Sequence, residues 1–475
     1  MGISNCQQCV ILIVSGQHAL GLSNLGEGHF ELRTLYNFRQ RLTAHMEATG
    51  ENLLAQTFEQ ISDEQLARFE LKSLHQRVDS TQIASNIRRL SRLQLLVTVL
   101  QRTHRMLSPA DQNHWQADFA PYLKGSAGQY TWRLKGQAAY DQHLQAIGDL
   151  MARLVTELAP TYQEQEAYQL LVRVFAEHFQ PTDDDEIDPK DGAELSADSL
   201  QSPDDPEATF RRKRGEGYVG YVANITETSL PNNDFQLILK VQVEPNITDD
   251  AQMLADIIPD LTARTDLKLM DTDGGYGSPK VDEVADEYDV DLRQTALRGR
   301  TPTAGTFNLA DGEWELEPDT SRPLTVTLPN GERLTVEPGR KADRFIIRPP
   351  EAKPIYFSRQ ALAVALRRQR SRQPLPDGKN PRAAVEATIA AIKRPFGNDK
   401  APVRGKFRLA MMVIGSAAMV NLRRIQRFRT KQRQAMRKKA AETGGDAPLL
   451  SFFSRSLVTA WHQFYSAIRF SYLHS

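Results

Sequence analysis

The sequence predicts an α/β fold, a mixed sheet flanked by helices, and three observations carry that prediction. Between residues 217 and 297 the apolar segments read strand, strand, helix, strand, helix, strand, an order that layers helices on a sheet. One more strand, "LHQRVDSTQI" (74–83), precedes them. Apolar residues recur at three- and four-residue intervals over 30–70, from about 83 to 178, and from 358 to 440, as amphipathic helices require.

Residues 1–70 form an N-terminal helical region. Residues 71–300 hold the first part of the α/β core. It is interrupted by a helical insertion (about 83–178) and by an acidic stretch (about 181–207) that reads as an exposed loop or flexible segment. After it, "GYVGYVANIT" and "DFQLILKVQVEP" are rich in β-branched and aromatic residues, like two neighbouring strands. "DDAQMLADIIPDLTAR" places Met253, Leu254, Ile257, Ile258 and Leu261 on one helical face. "LKLMDTD" is the next strand, "SPKVDEVADEYD" a short helix, and "LRQTAL" (292–297) a further strand. Residues 301–357 read as a β-rich insertion, in which "LTVTLPNGERLTVEP" alternates about an Asn-Gly turn, a hairpin signal. Residues 358–442 return to helices and complete the core, and 443–475 form a C-terminal tail.

The chain's 475 residues suffice for two or three domains, and 25% charged with 40% hydrophobic residues is ordinary for a soluble globular protein. The formal net charge of zero hides segregation: 182–207 is acidic, while "RRLSR" (88–92), "RRKR" (211–214), "RRQRSR" (367–372) and most of 404–439 are basic. Cys6 and Cys9 are the only cysteines, and no second pair stands at the spacing a zinc site needs. A reduced, cytoplasmic protein is the simpler reading. "LAMMVIGSAAMVNL" (409–422) falls short of the ~20 residues a bilayer needs, so no membrane partner is expected.

Asp271 and Asp273, in "LKLMDTDGGYGSP", pose the chemical question. A calcium loop starting at Asp271 fails: its sixth position is Tyr276 instead of Gly, its twelfth is Asp282, and a strand precedes it where a helix belongs. The strand context suggests another role, because a carboxylate at the end of a strand in an α/β sheet faces the crevice where such folds bind ligands. Asp79, in "QRVDST", ends another expected strand. Two such aspartates and a carboxylate from a packed helix can hold two Mg²⁺ ions for phosphodiester cleavage. The helix "PRAAVEATIAAIKRPF" offers Glu386, with Arg382 and Lys393 within about 40° of the same line and placed to meet phosphate. Each residue also has an ordinary reading. Asp79 can cap the following helix, Asp271 and Asp273 can mark a turn, and the Arg–Glu–Lys stripe can be surface charge.

The ordered set "VDSTQIASNIRRLSRLQLLV", "GYVGYVANITET", "KVQVEPN", "TDGGYGSP" and "NPRAAVEATIAAIKRPFG" resembles bacterial insertion-sequence transposases of the DDE type. "LRTLYNFRQRL" (32–42) is similar to the helical region that precedes the core in such enzymes, and the likeness spans roughly residues 25 to 430. The resemblance implies a ribonuclease H-like core and a catalytic, metal-holding set of Asp79, Asp273 and Glu386. It also implies Mg²⁺ (two ions, with Mn²⁺ as a substitute) and the element's terminal inverted repeats and target DNA as partners. Residues 1–70 would bind the DNA ends, and the chain would form a homo-oligomer on DNA. A related branch carries Tyr-x2-Arg-x3-Glu-x6-Lys; Arg382, Glu386 and Lys393 fit it as phosphate-binding neighbours, but Lys379 occupies the Tyr position. Family position favours Asp273 over Asp271 as the ligand, with Gly274 and Gly275 giving a sharp backbone exit. The basic segments are candidates for DNA-phosphate contact. Two rival readings are a Mg-dependent nuclease of the same superfamily and a non-catalytic DNA-binding protein derived from a transposase.

Overall fold

A computed structural model describes residues 32–443, apart from 183, 185, 214, 296–302, 305–306, 318–321, 342, 351–352, 373–380 and 398. Cys6, Cys9 and the tail after 443 lie outside the described residues.

Six strands build the central sheet: β1 (His75–Ala84), β2 (Thr209–Lys213), β3 (Glu216–Thr228), β4 (Ile238–Pro245), β5 (Leu269–Asp273) and β6 (Asp291–Thr295). The order is β2-β3-β1-β5-β6, with β4 also paired to β3. β3 runs antiparallel to β1, β4 antiparallel to β3, and β5 and β6 parallel to the strand before them in the sheet. The expected mixed α/β sheet is therefore present. β2 was not foreseen; it extends the N-terminal half of β3 as a hairpin, pairing Thr209 with Gly220 and Lys213 with Glu216.

Helices cover both faces because the strands alternate. On one face Ile83, Tyr221, Ala223, Ile225, Val241 and Val243 pack against Ile392, Leu409, Val413, Ile414 and Ala417. Those partners lie on helices Pro381–Lys393 and Lys406–Thr443. On the other, Val78, Met270 and Leu292 meet Leu254, Ile257, Ile258 and Leu261 of helix Asp250–Arg264, with Val281 and Ala285 of helix Pro279–Glu287.

The remaining parts have cores of their own. The helical insertion gathers Leu93, Leu96, Leu100, Phe119, Ile147, Met151, Leu154 and Leu171. The β-rich insertion is a five-stranded antiparallel sheet, β7 (Glu313–Leu316), β8 (Pro323–Thr327), β9 (Arg333–Pro338), β10 (Arg344–Ile347) and β11 (Ile355–Ser358), in sequence order. The Asn330-Gly331 turn joins β8 to β9, with Gly331 at φ 83°, as such a hairpin favours. Val326, Val336, Phe345, Ile347 and Phe357 pack under Leu362 and Ala365 of helix Arg359–Arg372.

Three expectations need correction. β1 does not end at Asp79; its pairing with β3 continues to Ala84. No helix starts at 83: residues 85–90 are irregular, and the helix begins at Arg92 behind Ser91, which forms a capping box with Gln94. Asp79 is thus not a helix cap. Finally, the end of the acidic stretch is no loose loop. Ser199, Leu200, Ser202 and Asp205 are buried, and Asp205 accepts hydrogen bonds from Tyr221 Oη (2.6 Å) and Ser85 Oγ.

Candidate functional site

Asp79 and Asp273 come together through strand register. β1 and β5 are parallel neighbours paired at His75 with Leu269, Gln76 with Met270 and Arg77 with Asp271. Two residues beyond the last pair, on the same face of the sheet, stand Asp79 and Asp273. Both are half-buried. Asp79 Oδ1 accepts from the Ser80 amide (2.8 Å) and Asp273 Oδ1 from the Gly274 amide (2.6 Å), which fixes each carboxylate at its root. Asp273 therefore marks a turn as well, opening the short 3₁₀ segment Gly274–Tyr276. That exit does not exploit glycine's left-handed freedom, since neither Gly274 nor Gly275 has positive φ.

Glu386 and Lys393 meet Asp79 in an open cleft of about 520 Å³. Its walls are Asp79, Ser80 and Thr81 from β1, Glu386, Ile389, Ala390 and Lys393 from helix Pro381–Lys393, and Arg394, Phe396 and Asp399 beyond it. Asp273 adjoins the cleft through its register with Asp79 but is not among its walls. Arg382 lies in the first turn of that helix, and its side chain is outside the described residues. Val385 and Ile392 are buried, so the apolar stripe packs on the sheet while exposed Glu386 faces the cleft. Lys393 is drawn inward: Nζ donates to Thr81 Oγ1 (3.2 Å) and to the Gln82 carbonyl (3.2 Å), and pairs with Asp399 Oδ1 (2.9 Å).

Beneath the cleft lie two polar clusters that the sequence did not single out. In the first, fully buried Glu227 accepts from Arg77 Nε (2.8 Å), Arg424 Nη1 (2.7 Å) and Thr388 Oγ1 (2.9 Å). Arg77 is two residues from Asp79 and Thr388 two from Glu386, so this cluster clamps the strand and the helix that carry those acids. In the second, wholly buried Tyr276 donates to Asn224 Oδ1 (2.7 Å). Burial pushes its hydroxyl pKa well up, and the negative charges of Asp250, Asp79 and Asp273 push it the same way.

Asp271 is occupied differently. It is buried and bonded to His75 Nε2 (2.6 Å) and Arg293 Nε (2.5 Å). Burial raises its pKa, but the hydrogen bonds and charges of His75 and Arg293 outweigh that and hold the carboxyl below its usual range. Its role is to bond His75 and Arg293 one pleat behind Asp273.

The donor chemistry fits a hard divalent cation: carboxylate oxygens on neighbouring strand positions, with a third carboxylate on the facing helix. Among the described residues, no three His, Cys, Asp or Glu side chains converge into a metal cage. The basic segments also divide. Arg92 donates to the His178 and Lys190 carbonyls, Arg89 to the Gly217 carbonyl, and Arg367 pairs with Asp282, so these are structural. Arg423, Arg427, Lys431, Arg437, Lys438 and Lys439 are exposed along the last helix. No described helix is long and apolar enough to cross a membrane. Comparison with known family models, curated proteins and solved structures found no match for this chain.

Proposed function

We propose that this protein is a DDE-type transposase with a ribonuclease H-like core that cuts and rejoins the DNA ends of its own element. The observation that carries the reading is the equal register of Asp79 and Asp273 on parallel neighbouring strands, with Glu386 sharing a cleft with Asp79. Asp79, Asp273 and Glu386 would hold two Mg²⁺ ions (Mn²⁺ as a substitute), which when bound supply charge neutralisation and an activated oxygen nucleophile. The chain's own residues do the rest. Glu227, Arg77, Thr388 and Arg424 hold strand and helix in fixed relation, and Lys393, with Arg382, orients phosphate. The exposed basic face of the last helix supplies a salt-sensitive, sequence-independent grip on DNA. The partners in this reading are the element's terminal inverted repeats and target DNA, engaged in the cytoplasm by a homo-oligomer assembled on DNA.

The test is cleavage and joining of labelled duplex that carries the inverted repeats bracketing the gene, with Mg²⁺, by wild type and Asp273→Asn. The expected result is cleavage with strand transfer, and a loss of about 100-fold or more in Asp273→Asn with folding and DNA binding retained. Undiminished activity in Asp273→Asn would sink the site assignment. Cleavage without joining would point to a nuclease of the same superfamily, and binding without either to a non-catalytic derivative.

A further inference from the structure

Of the three acidic walls of the cleft, Asp79, Glu386 and Asp399, Asp399 alone has no place in the proposed chemistry. We propose that it is a built-in anionic competitor at Lys393, occupying the position a DNA phosphate takes on binding. The proposal rests on the DNA-cleaving reading of the cleft and adds a residue to it.

Three observations support it. Lys393 is held in one place, only 15% exposed, by the Thr81 hydroxyl and the Gln82 carbonyl, yet its third contact, Asp399 at 2.9 Å, is 69% exposed. A cation fixed by the neighbouring strand β1, whose only anionic contact among the described residues sits in solvent, is a site where that partner can be exchanged for another oxyanion. Thr81 and Arg394, which line the same cleft, add a hydroxyl and a second cation for a tetrahedral phosphate. Lastly, Asp399 is placed there at a cost. Its φ of 58° is left-handed, a conformation side chains rarely adopt, although Asp and Asn tolerate it best. The backbone is pinned in that position, because the Asp399 carbonyl accepts from the Ala84 amide (3.0 Å) and the Ala401 amide donates to the Ala84 carbonyl (3.0 Å). The chain is stitched to the end of β1 and the carboxylate is delivered over the cleft.

With Asp399 in place, an arriving phosphate exchanges one ion pair at Lys393 for another; without it, the phosphate gains an ion pair outright. The experiment measures binding of full-length wild type and Asp399→Asn to a labelled duplex of mixed sequence across a KCl titration. Asn suits the left-handed backbone, and thermal melting confirms that the variant folds. We expect Asp399→Asn to bind about two- to fivefold tighter at low salt, with the advantage shrinking as KCl rises. Placing Asp399→Asn in a Lys393→Ala background should abolish that advantage, whereas a general loss of negative charge would leave it. If wild type binds and Asp399→Asn matches it in affinity across the titration, the proposal falls and the DNA reading stands. If neither protein binds the duplex at any salt concentration, both fall.

Discussion

Asp271 and Asp273 show how neighbours divide two identical side chains on one strand. Asp271 sits between His75 and Arg293 and is committed to bonding them, while Asp273 stands at the strand's exit beside the level of Asp79. Glu227 follows the first pattern, fully buried but matched by two guanidinium groups, so removing the acid alone would strand both. His178 is a contrasting case. It is 3% exposed, and neither ring nitrogen has a hydrogen-bond partner among the described residues. Burial, then the positive charges of Arg92 and Lys190, lower its pKa to about 4. An unfolded imidazole takes up its proton near pH 6.5 and the folded one only near 4, so between those values the unfolded state binds more protons. Stability contributed by neutral His178 is therefore lost as pH falls through that window, by up to about 3 kcal/mol. Urea unfolding of wild type and His178→Leu at about pH 7 and about pH 4.5 tests this, the variant showing the smaller drop. Equal drops would show that His178 does not govern the acid limb.

At the scale of elements, the sequence was most legible where one face is apolar. The strands around Asp79, in β3, β4 and before Asp273, and the Val385–Ile389–Ile392 stripe were all readable from periodicity. The bounds of β1 were not. The polar run "DSTQIASN" looked like a strand end leading into a helix, but Asp79 to Ala84 are held in the sheet by β3, a partner about 140 residues away. Helix Pro381–Lys393 was legible as an element, with its apolar stripe beside the line of Arg382, Glu386 and Lys393; that Lys393 turns inward to β1 was not, and Thr388 did not stand out. A threonine in a helix is ordinary until the fold brings Glu227 and Arg424 to it, 2.9 Å and 2.5 Å away. Because Thr388 ties the Glu386 helix to the sheet, Thr388→Val should cost about 1–3 kcal/mol by leaving Glu227 and Arg424 each short of a partner. It should also lower Mg²⁺-dependent cleavage more than DNA binding. Thr388→Ser, which keeps the hydroxyl, should restore both. A Val variant of normal stability and activity would show that the cluster does not position Glu386.

For the whole molecule, the division into a sheet, a helical insertion and a β-rich insertion follows from four separate apolar clusters, one under each sheet face and one in each insertion. What joins them was not legible, because it is made of long-range polar contacts. The end of the acidic stretch is the main example. Its composition suggests disorder, but Arg102 bonds the Pro203 carbonyl and Asp204, Arg173 bonds the Pro206 and Asp198 carbonyls, and Glu207 accepts from the Lys406 amide. This strap thus ties the helical insertion, which supplies Arg102 and Arg173, to the start of the last core helix. Asp205 is its buried rivet, bonded to Ser85 just past β1 and to Tyr221 on β3. Asp205→Ala leaves both hydroxyls without their acceptor, at a cost of about 1–3 kcal/mol each. The insertion has its own core, so the expected response is local opening and not global unfolding. Limited proteolysis should cut Asp205→Ala within 85–91 and 190–210 faster than wild type and release an insertion fragment that stays folded by circular dichroism. Unchanged cleavage, or loss of the whole fold at once, would mean that the strap is not an independent link between insertion and core.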